Sequence, residues 1–367
     1  MKNDLLYQVA LTMVPQIGCV HAKLLIDTFG SAEEVFQTKK SLLEKTDGIG
    51  TIRAASIKHF SNFQEAEEEL KFIEQSQVTP LFINDPSYPQ KLSFCYDPPV
   101  LLYYKGTADL NQTKIISIIG TRSNTEYGKQ ITEQILTDLS SVNPLVVSGL
   151  AYGIDAIAHR FSVKQQLSTV GVLAHGLDKI YPYQHASLAK EMLAQNGGLL
   201  TEFRSGTKPD RHNFPSRNRI VAGMADATIV IETNKKGGSM ITAHLAHSYN
   251  RDVFAVPGKT TDPKSEGCNY LIQTQKAVLI RNGHDIAEQM GWNNSSSPKP
   301  SLQKSLFLQL NQEEQQVYNL LQQHKSLHID GINRECQLTS SAVAAALLGL
   351  ELQGAVLSLP GKHYCLS

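Results

Sequence analysis

The sequence predicts an α/β protein: an extended Rossmann-like, doubly wound parallel sheet, flanked by an N-terminal helical module and a C-terminal winged helix. Three observations carry this. Between Lys114 and Met290, short apolar runs rich in β-branched residues alternate with longer stretches of helical period, the pattern of strands and crossover helices around a parallel sheet. Residues 4–60 break into short helical stretches instead. Beyond the polar segment 291–301, which holds two prolines, the order reads helix, turn, helix, hairpin, a winged-helix outline. At 367 residues the chain is long for a single core. The expected boundaries are a helix-hairpin-helix or SAM-like module over 1–70, a connecting segment over 71–112, the Rossmann-like domain over 113–290, a linker over 291–304 and a winged helix over 305–367.

In the first module, Gly48-Ile49-Gly50 lies between helical stretches, the Gly-hydrophobic-Gly pattern of a helix-hairpin-helix, whose amides can receive a phosphate. Gln16-Ile17-Gly18 lacks the first glycine and matches less well. The alternative is a helical module that packs on its neighbours without touching nucleic acid. The acidic run Glu65, Glu67, Glu68 and Glu69 reads as a solvated helix face. Residues 76–110 are rich in Pro, Tyr and short apolar runs, which favours extended segments leaning on the next domain. Candidate strands then follow as IISII, PLVVS, TVGVLA, GLLTE, ATIVIE, VFAVP and AVLI. Among the intervening helices, Ile154, Ile157, Ala158 and Phe161 fall at i, i+3, i+4 and i+7, predicting one core face.

Composition excludes several classes. Hydrophobic residues make up 41% and charged ones 19%, as in ordinary globular proteins and unlike disordered or collagenous chains. No apolar run approaches the ~20 residues of a membrane span, and Met1 to Tyr7 shows no basic stretch leading into an apolar core. A cytoplasmic, non-membrane protein is expected. Cys19, Cys95, Cys268, Cys336 and Cys365 never fall at metal-ligand spacing, so no metal site and no disulfide framework is expected. Lys+Arg and Asp+Glu balance at 34 each, but Arg204, Lys208, Arg211, Arg217 and Arg219 face only Asp210 between residues 203 and 219. A local basic groove is compatible with zero net charge.

In an open parallel sheet, ligands bind beyond the carboxyl ends of the strands. The stretches expected there are Gly120-Thr121-Arg122, Ser148-Gly149-Leu150-Ala151-Tyr152-Gly153, His175-Gly176-Leu177-Asp178, FPSRNRIVAG (214–223) and Lys235-Lys236-Gly237-Gly238-Ser239. Glycine, hydroxyl and guanidinium groups recur beside helix starts, as phosphate binding requires. The first of these turns is not G-x-G-x-x-G, no acid ends the second strand to hold a ribose, and no Gly-Lys-Ser/Thr follows a strand. A dinucleotide cofactor and a P-loop are therefore disfavoured, and no cofactor is expected.

The ordered set GTR, SGLAYGID, FPSRNRIVAG, GGSMITA and VFAVPG followed by GCNYLI resembles the DNA-processing protein A family, DprA or Smf, over nearly the whole chain. The resemblance implies a cytoplasmic, usually dimeric protein that binds single-stranded DNA at the Rossmann loops. It further implies protection of incoming strands in natural transformation, loading of the RecA recombinase, and no catalysis. The homodimer through the Rossmann-like domain and the RecA partner rest on the resemblance alone.

On this reading Arg122, Arg217 and Arg219 bind backbone phosphates as planar forks. Gly120, Thr121, Ser148, Gly149, Gly153, Gly238 and Ser239 bring amides and hydroxyls to the strand, and Phe214 and Tyr152 offer stacking faces. Asn218 either reads a base edge or caps the turn, with the cap favoured. Arg217 and Arg219 lie two apart and diverge by about 200° on a regular helix. On such a helix Arg219 is expected at phosphate and Arg217 in a structural role or at the neighbouring subunit. Lys235 and Lys236 read as solvated loop charge. In Tyr181-Pro182-Tyr183, Gln184 and His185 stand where the family often has a basic residue, so that contact falls to Lys179 or Lys190.

Two other functions are weighed. The Gly-Gly-Ser helix start is similar to that of lysine-decarboxylase-like phosphoribohydrolases, which suits a nucleotide hydrolase, but the Pro and Gly-Thr of that motif are missing around Gly237-Gly238. Asp155, His159, His175 and Asp178 form the one acid-base set, read as structural: Asp155 as a cap or holder of the glycine loop, His159 in a local hydrogen bond. A winged-helix transcription regulator would read bases from its second helix, but SSAVAAALLGLELQ has no Lys or Arg.

Overall fold

The computed structural model describes residues 2–292 and 310–366. From residue 293 on, the expected linker lies outside the described residues, as do residues 305–309 of the expected winged helix. The described chain forms two compact units, Met1–Arg281 and Asn282–Ser367. The helical module and the sheet thus share one unit, and the helix Gly283–Gln289, grouped with the sheet domain in the sequence reading, falls in the other.

The first unit is organised by a nine-stranded sheet. Its strands are β1 (Thr79–Phe82), β2 (Leu101–Gly106), β3 (Ile115–Ile119), β4 (Leu145–Ser148), β5 (Thr169–Val172), β6 (Gly198–Thr201), β7 (Ala227–Val230), β8 (Asp252–Ala255) and β9 (Val278–Leu279). The order is β1-β2-β6-β5-β4-β3-β7-β8-β9, and every pair from β6 to β9 is parallel. All seven parallel strands are the expected ones. The expected connecting segment does more than lean on the domain: β1 and β2 extend the sheet, with β2 antiparallel to β6. The register Ile116↔Ala227 through Ile119↔Val230 places β7 on one side of β3 and β4 on the other. From β3 the chain runs outward through β4, β5 and β6, then returns to β7 on the other side of β3, which makes the carboxyl end of β3 the switch point where open α/β sheets bind ligands.

The central strands are buried on both faces, as their apolar sequences require. Ser117 of β3 is accommodated because its hydroxyl meets that of Thr228 on β7 at 2.7 Å. In the helix Ile154–Lys164 the buried face differs from the expected one. Ile154 and Ala158 are buried, but so are Asp155, His159 and Ser162, whereas Ile157 and Phe161 are half-buried. Each of these polar groups finds a partner: Asp155 Oδ2 accepts from Gly149 N at 3.1 Å, His159 Nδ1 meets Thr169 Oγ1 at 2.7 Å, and Ser162 Oγ donates to Ala158 O.

Six helices between Lys2 and Gln75 form the N-terminal module, packed around Tyr7, Phe36, Phe60 and Phe63, whose ring centroids lie 5.2–5.8 Å apart. At the glycine hairpin, the helix Gly50–Lys58 starts after Gly48, and Arg53 donates to the carbonyls of Gly48 and Gln16 at 3.0 and 3.3 Å, tying the two hairpins together. In the second unit, helices Gln312–Gln322, Ile329–Cys336 and Ser340–Leu352 pack with a three-stranded sheet of β10 (Leu327–His328), β11 (Val356–Leu359) and β12 (His363–Leu366), ordered β10-β12-β11. A capping box of Asn311 and Glu314 opens the first of these helices. Among the described residues, no helix is long and apolar enough to cross a membrane, and no group of three or more His, Cys, Asp or Glu is placed to hold a metal ion.

Candidate nucleic-acid interface

A cavity of about 550 Å³ opens at the switch point, between the loop after β3 and the loop after β7. Gly120, Thr121, Arg122, Gly149, Phe214, Arg217, Asn218, Gly238 and Ser239 line it. A smaller cavity of about 30 Å³ adjoins it; Tyr152 lines this one, together with His175, Tyr181 and the shared Arg122, Gly149, Phe214 and Arg217.

The loop after β3 is fixed from below. Thr121 N donates to Glu232 O at 2.7 Å and Thr121 O accepts from Ile154 N at 3.2 Å, so the arginine that follows is turned outward. Arg122 is exposed, lies 5.0 Å over the Phe214 ring, and makes no ion pair among the described residues. Two acids near the strand ends are taken by other cations: Glu202 pairs with Arg219 and Asp226 with Lys91. Opposite Arg122, Gly237 caps the helix Gly238–Ser248, whose first turn faces the cavity, and Ser239 Oγ donates to Thr233 Oγ1 at 2.7 Å. A guanidinium without an ion pair, facing a helix N-terminus across a cleft, is the arrangement that anion binding uses.

Phe214 and both arginines belong to the helix Asn213–Met224. The helix begins before Phe214, so Asn218 sits inside it and caps nothing; its Oδ1 accepts from Arg217 Nε at 3.2 Å. The two arginines do diverge, and it is Arg217, not Arg219, that turns to the cavity. Arg217 turns to the cavity floor, 4% exposed, where its Nη1 donates to the carbonyls of Gly149 and Val172. Burial pushes its guanidinium down to about 10, with Asp155 opposing the shift, so it remains charged at neutral pH. Arg219 turns away, 8% exposed, and binds Glu202 and the carbonyl of Asp97.

Three expected ligands therefore line neither cavity. Arg219 is committed to Glu202. Ser148 is fully buried below the site, where its hydroxyl donates to Ile118 O at 2.6 Å. Gly153, at φ +76°, serves close approach of backbone: a Cβ there would lie 2.2 Å from Thr121 O. Gly149 is constrained from the other side, since a Cβ would lie 2.5 Å from the Arg217 guanidinium carbon. Tyr152 is 42% exposed and donates to Gln184 Oε1 at 2.7 Å.

Other lining residues were not among the expected ligands. Lys236, read as solvated loop charge, and Arg211, noted only within the basic run, are exposed at the cavity, as is Asn234. For Lys236 the available signal was its place just before Gly237-Gly238; its neighbour Lys235 instead lies 4.7 Å over the Tyr270 ring. The acid-base set does not converge. Asp155 holds the glycine loop through Gly149 N and Ala151 N, burial pushes the His159 imidazole down to about 3, His175 Nδ1 bonds Gly176 O at 2.9 Å, and Asp178 accepts from Gly206 N at 3.0 Å.

With these loops placed, comparison with known proteins is decisive. The family model described as DNA recombination-mediator protein A matches residues 79–291, the whole extent of the sheet and its site. The chain belongs to the DprA/Smf family. A DprA winged helix domain model matches residues 298–362. The DprA protein of Bacillus subtilis is 37% identical over 252 residues, covering 68% of this chain and 84% of that one. Protein Smf of Synechocystis is 34% identical over 296 residues, covering 78% and 73% respectively. Among solved structures, DprA of Streptococcus pneumoniae aligns with a TM-score of 0.67 at 29% identity, over 77% of this chain and 97% of that one. DprA of Helicobacter pylori, described with its single-stranded DNA binding mode, aligns with a TM-score of 0.52 at 31% identity, over 58% and 94%.

Proposed function

We propose that this protein binds single-stranded DNA in the cleft at the switch point, without catalysing a reaction on it. The observation that carries this is Arg122: an exposed guanidinium unpaired among the described residues, stacked on Phe214 and facing the start of the helix Gly238–Ser248. A phosphate between them meets the Arg122 fork on one side and amides of the helix start on the other, while Arg211 and Lys236 add charge at the rim. Phe214 and Tyr152 stack on bases only when those are unpaired, which favours single strands over duplex. Strand protection in natural transformation, loading of RecA, cytoplasmic location and a homodimer through the Rossmann-like domain complete the reading, on the strength of family membership.

The test is a fluorescence anisotropy titration of the full chain with oligo(dT) and with a duplex of equal length across a salt series. Binding should be tighter to the single strand and weaken as salt rises. Equal affinity for both, or affinity indifferent to salt, refutes the proposal.

A further inference from the structure

Residues 202–212 join β6 to the helix Asn213–Met224 and carry Arg204, Lys208 and Arg211. The N-terminal module grips this loop. Glu69, on the helix Phe63–Gln75 and only 4% exposed, accepts from Ser205 N with both carboxylate oxygens, at 3.0 and 3.1 Å, and from Ser205 Oγ at 2.5 Å. One turn earlier, Glu65 accepts from Arg204 Nη1 at 2.6 Å. These acids are therefore not merely a solvated face. On the sheet side, Asp178 accepts from Gly206 N at 3.0 Å and Gly176 N donates to Thr207 O at 3.2 Å. Asn213 Nδ2 then holds Lys208 O at 3.3 Å. The loop is fixed residue by residue from Arg204 to Lys208, and Arg211 emerges beyond it at the cavity rim. A buried carboxylate is costly unless hydrogen-bonded, so Glu69 holds Ser205 to one position.

We propose that Glu69 is a positioning residue for DNA binding: through Ser205 it sets the basic loop so that Arg211 faces the cleft. The helical module, which precedes the residues matched by the family model, then contributes to the site without touching the strand. The inference rests on the cleft being the single-strand site. In the full chain, Glu69→Ala should weaken oligo(dT) binding about tenfold, the lower end for a lost hydrogen bond to a charged group. It should also reduce the salt slope by about 0.7, one phosphate contact, as Arg211→Ala does. The double variant should be no weaker than Arg211→Ala alone. Glu69→Gln, which keeps one acceptor oxygen, should fall between and decides by the same comparison if Glu69→Ala does not fold. Wild-type affinity and slope in a folded Glu69 variant, or losses that multiply in the double variant, overturn the proposal while leaving the cleft standing. A wild-type chain that does not bind oligo(dT) overturns both.

Discussion

Replacing Arg122 with alanine separates binding from folding at one atom group. Its guanidinium is exposed, unpaired among the described residues, and 5.0 Å over Phe214. The folded state therefore loses a surface cation–π contact of about 0.5–1 kcal/mol. It also sheds a like charge that disfavours the buried Arg217 cation, so the net change in stability should be under about 1 kcal/mol. Binding should suffer more. A charge-assisted hydrogen bond to phosphate contributes about 1.5–3 kcal/mol, which is about tenfold to a hundredfold in affinity. One phosphate contact fewer should reduce the salt slope by about 0.7. Anisotropy titrations with oligo(dT) at several salt concentrations, with thermal melts of both proteins alongside, measure all three quantities. Arg122→Lys should be intermediate, because it restores the charge without the planar fork. A folded Arg122→Ala protein with unchanged affinity and slope would remove the residue from the site and, with it, the observation on which the functional reading stands.

Two further outcomes follow from groups that the sequence reading misplaced or left structural. Arg219→Ala should leave the partly buried Glu202 without its cation and destabilise the first unit by about 3 kcal/mol, the lower end for a broken buried pair, while the salt slope of the folded protein stays at the wild-type value; denaturant unfolding with a matched titration checks both, and a reduced slope would return Arg219 to the DNA. His159 is fully buried, and burial lowers its imidazole from 6.5 to about 3. Between those values the unfolded chain binds a proton that the folded chain does not, so stability should fall as pH drops through 6.5 toward 3, by at most about 1.4 kcal/mol per pH unit. His159→Gln should flatten that dependence, and identical pH slopes for the two proteins in denaturant unfolding would count against it.

The seven parallel strands were legible because a strand buried on both faces must be apolar along its length, and such a run is a local property of the sequence. The loops that follow them were legible for the same reason, as were the motifs that mark the family. Rotation of a helix is not local. Nothing within FPSRNRIVAG says whether Arg217 or Arg219 turns to the cleft; Arg219 is drawn to Glu202 and to the carbonyl of Asp97, 122 residues away in the chain. Polar burial is equally silent in a sequence pattern, since Asp155, His159 and Ser148 become core residues only when Gly149, Thr169 and Ile118 arrive to bond them. Glu69 read as solvent-facing for want of any sign that Ser205 would meet it. By itself, then, the sequence determined the layers of this protein and the strand ends at which its chemistry gathers. Which cation remains free to meet a phosphate was decided only by tertiary structure, because a charge is free or taken according to partners that folding brings from far along the chain.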